Sequence, residues 1–253
     1  VIVDTGRHFI QNESSKIASA EIDINTEKSL TQNDSGNILG NQLEINTGES
    51  LMQNVSGMIS GNQVSIATGA DMIQKDSGKI SGDKITINNG GDMEQNQSSS
   101  IVAEDNIDID SAQNSNGEIF ALNGLSIDVD KDIIQNDTSL IEASTIDINQ
   151  NSDTGDNVSQ SDDSQIITNQ LNIDTARSQI LTGDNEIDKF NSTNSGIGNI
   201  ELDNSNQLTI TGITQSTGNV DIENDASLEV NGTVRTEADG NINLISTGDQ
   251  KIS

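Results

Sequence analysis

The fold is decided by residues 30–50, LTQNDSGNILGNQLEINTGES, which are followed at 51–71 by LMQNVSGMISGNQVSIATGAD. The two stretches keep similar residue types at equivalent positions, and the pattern extends in both directions with a step of 21 residues. Five consecutive repeats in register indicate a repeat architecture. Three of its columns are Gln11, Gln32, Gln53, Gln74 and Gln95; Phe9, Leu30, Leu51, Met72 and Met93; and Ile17, Ile38, Ile59, Ile80 and Ile101.

A fourth column consists of two aliphatic residues separated by one polar residue. This alternation has the period of a β-strand and not of a helix. The pairs continue, less strictly spaced, through most of the chain. They are Ile22/Ile24, Leu43/Ile45, Val64/Ile66, Ile85/Ile87, Ile107/Ile109, Ile127/Val129, Ile146/Ile148 and Leu171/Ile173.

Between the predicted strands lie polar corners such as Asp34-Ser35-Gly36, Val55-Ser56-Gly57 and Asp76-Ser77-Gly78. These corners tolerate tight turns and left-handed backbone conformations. A unit of this size cannot bury its apolar side by itself, but stacking one unit on the next does bury it. The sequence therefore predicts an all-β fold, a parallel β-helix or β-solenoid of about twelve coils of ~21 residues.

The repeat also predicts how the chain is organised. Residues 1–175 carry the regular repeats, with an insert near 151–157, and residues 176–197 are expected to form an irregular coil. Residues 198–253 resume the pattern with steps of 20 and 22 residues between Gly198, Gly218 and Gly240. We expect this last part to continue the same solenoid.

Composition excludes several other classes of protein. Aromatic residues make up 1 % of the chain and Cys is absent, so neither a ring-rich globular core nor a disulfide framework is available. Leu, Ile, Val and Phe sum to roughly 24 % of residues, above the level typical of disordered chains. The net charge of −30, with 11 Lys and Arg, argues against nucleic acid and against bare anionic membranes. No run approaches the ~18 apolar residues of a membrane span, so we expect no direct membrane insertion.

The C-terminal part carries a family resemblance. Gly198-Asn-Ile-Glu-Leu202, Gly218-Asn-Val-Asp-Ile222, Gly240-Asn-Ile-Asn-Leu244 and Leu228-Glu-Val-Asn-Gly-Thr-Val234 resemble the repeats of filamentous haemagglutinin. The resemblance implies a right-handed parallel β-helix that crosses the outer membrane of a Gram-negative cell by two-partner secretion. It implies extracellular display as an adhesin, with a receptor or glycan on another cell as a partner.

We expect a structural or adhesive role, as the stalk or body of a large surface adhesin or filament, and no enzyme activity. The only histidine is His8, which has no acid–base partner nearby in sequence. The competing class is a β-helical polysaccharide lyase or hydrolase, because paired carboxylates hydrolyse glycosides and acidic residues are plentiful. These carboxylates are spread along columns and not concentrated in one coil, which favours the structural role.

Calcium is the one cofactor that the sequence leaves open. Outward carboxylates sit between the paired aliphatics, and the weak candidates for ligands are Asp108, Asp128 and Asp147. Stacked like charges repel, and a hard divalent cation would relieve that repulsion through its oxygen ligands. A solvated acidic face is the alternative, since neither an EF-hand loop nor a calcium-binding nonapeptide is present.

Asn-x-Ser/Thr triplets recur at one position of the repeat. They are acceptors for glycosylation in secreted proteins, but a repeated turn needs the same residues, because Asn and Ser bond to their own backbone. Both interpretations stay open. The candidate acceptors are Asn12, Asn33, Asn54, Asn96 and Asn136.

Three predictions concern packing. The Gln column points inward and is expected to form a buried amide ladder that fixes the register. Asn46, Asn88 and Asn149 are expected to form a partial stack at a corner, broken at Ala67. The following residues are expected to be buried: Leu30, Ile38, Leu43, Ile45, Leu51, Ile59, Val64 and Ile66.

The ends of the sequence suggest assembly. The chain opens on Val1-Ile2-Val3 and closes on Gln250-Lys-Ile-Ser253 without an evident polar cap. Terminal repeats of solenoids are usually atypical and polar. We therefore expect each end to pair with a further coil, either of the same polypeptide or of a second copy stacked end to end.

Overall fold

The structure is a computed structural model that describes residues 1–96, 98–115, 117–129, 132–136, 138–150 and 157–252. The described part is all-β and forms a parallel β-solenoid of about 11 turns of ~21 residues, which confirms the predicted fold class. The chain divides into two compact units, Val1–Asn123 and Gly124–Ser253. Residues 151–156 of the predicted insert lie outside the described residues.

Strands of 3 to 17 residues follow one another along the described chain. Through residue 115 they are β1 (Ile2–Thr5), β2 (Phe9–Gln11), β3 (Lys16–Ala18), β4 (Glu21–Thr26), β5 (Leu30–Gln32), β6 (Asn37–Leu39), β7 (Gln42–Thr47), β8 (Leu51–Gln53), β9 (Met58–Ser60), β10 (Gln63–Thr68), β11 (Met72–Gln74), β12 (Lys79–Gln95) and β13 (Ser100–Ser115). They continue as β14 (Glu118–Val129), β15 (Ile133–Gln135), β16 (Leu140–Gln150), β17 (Val158–Gln160), β18 (Gln165–Thr175), β19 (Gln179–Ile187), β20 (Lys189–Ile197), β21 (Ile200–Asn204), β22 (Leu208–Thr217), β23 (Val220–Asn224), β24 (Leu228–Val230), β25 (Val234–Thr236), β26 (Ile242–Ser246) and β27 (Gln250–Ile252).

In the first unit, each coil contributes three strands to three parallel series. The first series is β1, β4, β7, β10 and part of β12. The second is β2, β5, β8, β11 and the end of β12, and the third is β3, β6, β9 and the start of β12. Paired residues are 21 apart, as in Ile24↔Ile45 and Ile45↔Ile66, so the sequence repeat is also the structural register.

The core is a set of aliphatic columns inside each unit. Ile24, Ile38, Ile45 and Ile59 are each 0 % exposed, and all eight residues expected to be buried are buried. Alternate positions of a strand point to opposite faces, so every second residue enters the core. An unstacked coil would expose these side chains to water. Stacking buries them, which stabilises the fold by about 25 cal/mol per Å² of apolar surface buried.

The Gln column forms the predicted amide ladder. Nε2 of Gln32 donates to Oε1 of Gln11 at 2.8 Å, and Nε2 of Gln53 donates to Oε1 of Gln32 at 2.8 Å. The same Gln53 nitrogen donates to the carbonyl of Gly57 at 3.2 Å, so the buried amide is fully used. A Cβ on Gly57 would lie 3.0 Å from Cβ of Gln32, which explains why the turn beside the ladder favours glycine.

Of the three asparagines predicted to stack, only Asn46 pairs with another asparagine, Asn25. Nδ2 of Asn46 donates to Oδ1 of Asn25 at 2.9 Å, and Ala67 follows Asn46 in the register and interrupts the column. Asn88 and Asn149 donate to carboxylates of neighbouring coils, Asp110 at 3.5 Å and Asp128 at 2.9 Å. These amides therefore pair more often with acidic neighbours than with each other.

The second unit follows the same principle with a less regular step. The spacing between paired residues varies, from 25 between Leu140 and Gln165 to 19 between Leu171 and Phe190. The stretch expected to be an irregular coil, 176–197, contains β19 and β20 with alternating burial. The three Gly-Asn motifs lie in register, with Ile200 paired to Val220 and Val220 to Ile242. Their asparagines bind the next coil, since Oδ1 of Asn199 accepts from the backbone N–H of Asn219.

Candidate binding surface

A shallow groove of about 730 Å³ runs along the first strand series of the first unit. The outward side chains of β4, β7, β10 and β12 supply its floor. Because the register is constant, equivalent positions line up in two columns across the coils. One column is Glu21, Gln42, Gln63 and Lys84, and the other is Asp23, Glu44, Ser65 and Thr86.

The charge changes along this groove. Three carboxylates, those of Glu21, Asp23 and Glu44, line the N-terminal coils, whereas Lys84 lies at the other end. Nδ2 of Asn25 donates to Asp23 at 2.6 Å, and Nδ2 of Asn46 donates to Glu44 at 3.1 Å. These bonds hold the carboxylates in place, while the neighbouring Gln side chains are exposed. Such a surface can exchange hydrogen bonds with a polar ligand that extends along the stacked coils.

A second groove of about 740 Å³ follows the corner before the same strands. Asn41, Asn62 and Asp83 take equivalent positions along it, and the hydroxyls of Ser60 and Ser81 lie 3.0 Å apart. This surface is also polar and repeats from coil to coil. The sequence predicted the corners, but it did not predict that they form concave surfaces, because concavity depends on the angle between strand series.

The three calcium candidates each have a protein partner. Asp108 lies 3.6 Å from the ammonium group of Lys84. Asp128 accepts from Asn149 at 2.9 Å, and Asp147 accepts from Asn172 at 2.7 Å. Among the described residues, no group of three or more His, Asp or Glu side chains is arranged to hold a metal ion. The structure thus shows a protein partner for each of these carboxylates, and calcium binding stays a prediction.

The candidate glycosylation acceptors each come directly after a Gln of the amide ladder or its equivalent, at the start of a turn. Nδ2 of Asn33 donates to Oδ1 of Asn12 at 2.8 Å, and Nδ2 of Asn54 donates to Oδ1 of Asn33 at 3.0 Å. Nδ2 of Asn96 donates to Glu94 at 2.8 Å. At Asn33, Asn54 and Asn96, the atom that would carry a sugar is therefore engaged in stabilising the turn. Asn136 follows β15, immediately after Gln135.

His8 and the acidic residues near it form a small polar cluster. Nδ1 of His8 accepts the backbone N–H of Ser29 at 3.3 Å, and the Ser29 hydroxyl donates to Glu49 at 3.3 Å. Hydrogen bonding to Lys28 lowers the pKa of the Glu49 carboxyl, and the same contact raises the pKa of Lys28. Ser29 is held by its hydroxyl and its backbone, so this cluster fixes one coil against the next.

An acidic face that sequence analysis did not single out lies in the second unit. Burial raises the pKa of the Asp203 carboxyl, and the nearby carboxylates of Glu223, Glu201, Asp225 and Asp162 raise it further. Asp203 pairs in register with Glu223, so their like charges stack. Because the step between coils varies in this unit, such neighbours cannot be identified by counting residues along the sequence.

Comparison of the chain with models of protein families, with curated proteins and with solved structures finds no match in any of the three. The fold itself is that of β-helical repeat proteins. No helix within the described ranges is long and apolar enough to span a membrane.

Proposed function

We propose that this chain is a structural and adhesive β-solenoid, a stalk or body segment of a large cell-surface adhesin or filament. The observation that carries the proposal is the groove over β4, β7, β10 and β12, whose lining positions recur with every coil. A surface with that repeat suits a partner that is itself a repeating polymer. Its carboxylate, amide and ammonium groups suit the hydroxyls of a glycan.

The finer assignment is to exoproteins of the filamentous haemagglutinin type, displayed outside a Gram-negative cell. The stacked Gly-Asn motifs around Ile200, Val220 and Ile242 support it. The absence of Cys supports it as well, since a chain without disulfides can pass unfolded through a pore. Detection of the protein on intact cells with an antibody, before and after external protease treatment, tests the location. A signal that resists protease would contradict it.

Binding is tested with the purified chain against a panel of neutral, acidic and amino polysaccharides. We expect retention of at least one polymer and weaker retention by the groove variant Glu44→Gln/Gln63→Ala. Glu27→Gln, which changes an exposed residue outside the groove, is the matched control. Equal binding by both variants would place the contact elsewhere.

The alternative is a carbohydrate-active β-helix. It is supported by three carboxylates in one groove, those of Glu21, Asp23 and Glu44. Product analysis on the same panel separates the two functions. Release of shorter or unsaturated sugars would replace the adhesive proposal with an enzymatic one. Polymer that is retained and intact supports adhesion.

End-to-end assembly is part of the proposal. We expect a further coil, of the same polypeptide or of a second copy, to pair with β1 and with β27, where Ile2 is 78 % and Ile252 is 77 % exposed. Unpaired strand edges of this kind readily pair with another strand. Electron microscopy and light scattering of the purified chain should show rods of variable length where copies stack. A uniform monomer would contradict stacking.

A further inference from the structure

Asn231 and Gly232 occupy the corner between β24 and β25, outside both strands. The Asn231 side chain is exposed and makes no hydrogen bond within the described residues. The backbone nitrogens of Asn231 and Gly232 share one acceptor, the carbonyl of Ile210, at 3.0 and 3.3 Å. The bond from Gly232 is the longer and so the weaker of the two.

Packing fixes the glycine at this corner. A Cβ on Gly232 would lie 1.8 Å from the carbonyl oxygen of Thr211 in the preceding coil, a distance that no side chain can accept. The asparagine is therefore followed by the one residue that places no side chain beside its carboxamide. In other asparagine dipeptides, the side chain of the residue after the asparagine hinders this residue's backbone nitrogen from attacking the carboxamide.

We propose that Asn231 is a modification site, at which the folded chain deamidates without an enzyme. The backbone nitrogen of Gly232 loses its proton and bonds to Cγ of Asn231, and the bond from Cγ to Nδ2 breaks with release of ammonia. Water then opens the resulting cyclic imide at either carbonyl. The products are aspartate, or isoaspartate in which the backbone runs through the former side chain.

Two other Asn-Gly pairs in the described residues are held in place. Asn89 is 5 % exposed, its Nδ2 donates to the carbonyl of Gly91, and its Oδ1 accepts from Thr68. Asn123 is exposed, but its Nδ2 donates to Asp105 at 2.7 Å. Attack on either carboxamide requires these bonds to break first, whereas attack at 231 requires only the 3.3 Å bond from the backbone nitrogen of Gly232 to Ile210 to break. The dipeptide is therefore better protected at 89 and 123 than at 231.

The modification has a structural consequence. Either product adds a negative charge, and isoaspartate adds one atom to the backbone of a corner that already touches the coil before it. We expect weaker pairing of β25 with β22, where Val234 lies opposite Ile213. The reaction would thus loosen the coil after residue 230 with time and leave the first unit unchanged.

The test compares the three pairs within one protein. The purified chain is kept at mildly alkaline pH, folded or in concentrated urea, and peptides are quantified by mass spectrometry over time. In the folded chain we expect conversion at Asn231 to be about tenfold or more faster than at Asn89 and Asn123, since a local opening of about 1.4 kcal/mol slows a reaction tenfold. In urea the three rates should converge.

The result that overturns the proposal is a folded chain in which Asn231 converts no faster than Asn89 and Asn123. Asn231→Gln should abolish the signal at this corner, because its longer side chain closes the ring poorly, and it should leave the other two rates unchanged. Asn231→Asp carries the charge without the extra backbone atom. If the aged chain and Asn231→Asp lose protection of β25 amides equally in hydrogen exchange, the backbone insertion has no effect and that part of the proposal fails.

Discussion

At the scale of single residues, one position of the turn after the Gln ladder has positive φ in four successive coils. Glu13, Asp34, Val55 and Asp76 take equivalent positions and have φ between 55° and 65°. This left-handed region is accessible to Asp and Asn but is unfavourable for a β-branched side chain. Val55 has φ of 65° and is 47 % exposed, so its strain is not offset by burial.

We therefore expect Val55→Asn to raise the free energy of unfolding by about 1 kcal/mol, because left-handed backbone at a branched residue costs about that much. The reverse change in the preceding coil, Asp34→Val, should lower it by a similar amount. The midpoint of thermal unfolding measures both. If neither variant shifts the midpoint, the turn conformation at 34 and 55 differs from the one described.

Asp203 gives a pH-dependent prediction. Its pKa is raised in the folded chain, so the charged form is disfavoured there and the wild type carries a penalty above that pKa. Asp203→Asn should therefore raise the melting temperature near neutral pH. The gain should vanish as the pH falls below the ordinary range of an aspartate, where the wild type is protonated in both states. The control is Asp239→Asn at an exposed corner, for which no gain is expected.

At the scale of elements, the amide ladder joins consecutive coils of the second strand series. Gln53 is 0 % exposed, donates to Gln32 and accepts from Gln74 at 2.7 Å. A shift of one residue in register would turn every Gln outward and every outward residue into the core. The ladder thus specifies the register as well as stabilising it.

Gln53→Leu should destabilise the chain strongly, because it leaves Nε2 of Gln74 and Oε1 of Gln32 without their ladder partner. Each buried group that loses its partner costs about 1–3 kcal/mol. The matched control is Leu51→Met, a change of similar volume in the same strand, which should cost less than about 1.5 kcal/mol. Equal effects of the two variants on urea unfolding would show that the ladder adds nothing beyond packing.

At the scale of the whole molecule, the large negative net charge affects the stability of the fold. The net charge is −30, and ion pairs of the described residues, such as Lys28–Glu49, lie at the exposed surface. Exposed pairs contribute little to stability, and a large net charge of one sign opposes the compact state. Stability should therefore depend on ions in solution.

We expect the melting temperature to rise with NaCl, because 0.1 M salt screens the repulsion between exposed like charges that are more than about 10 Å apart. CaCl₂ at matched ionic strength separates screening from specific binding. An equal rise in both salts indicates screening only, whereas a further rise with Ca²⁺ would support the carboxylates of Asp108, Asp128 and Asp147 as ligands. A melting temperature that falls with NaCl would contradict the repulsion argument.

The sequence by itself determined the solenoid, the buried columns and the Gln ladder of the first unit. It could do so because a constant step of 21 residues places equivalent residues such as Ile24 and Ile45 opposite each other in every pair of coils. In the second unit the step varies, so the contact of Asp203 with Glu223 could not be found by counting.

Only the tertiary structure decided which polar groups meet and where the surface is concave. Asn149 and Asp128, or Asn25 and Asp23, could each have bound water, and their pairing depends on side-chain directions that composition does not fix. The grooves depend on the angles at which strand series meet. The clash that holds Gly232 in place depends on Thr211, 21 residues earlier in the chain, whose carbonyl comes near only after the coils have stacked.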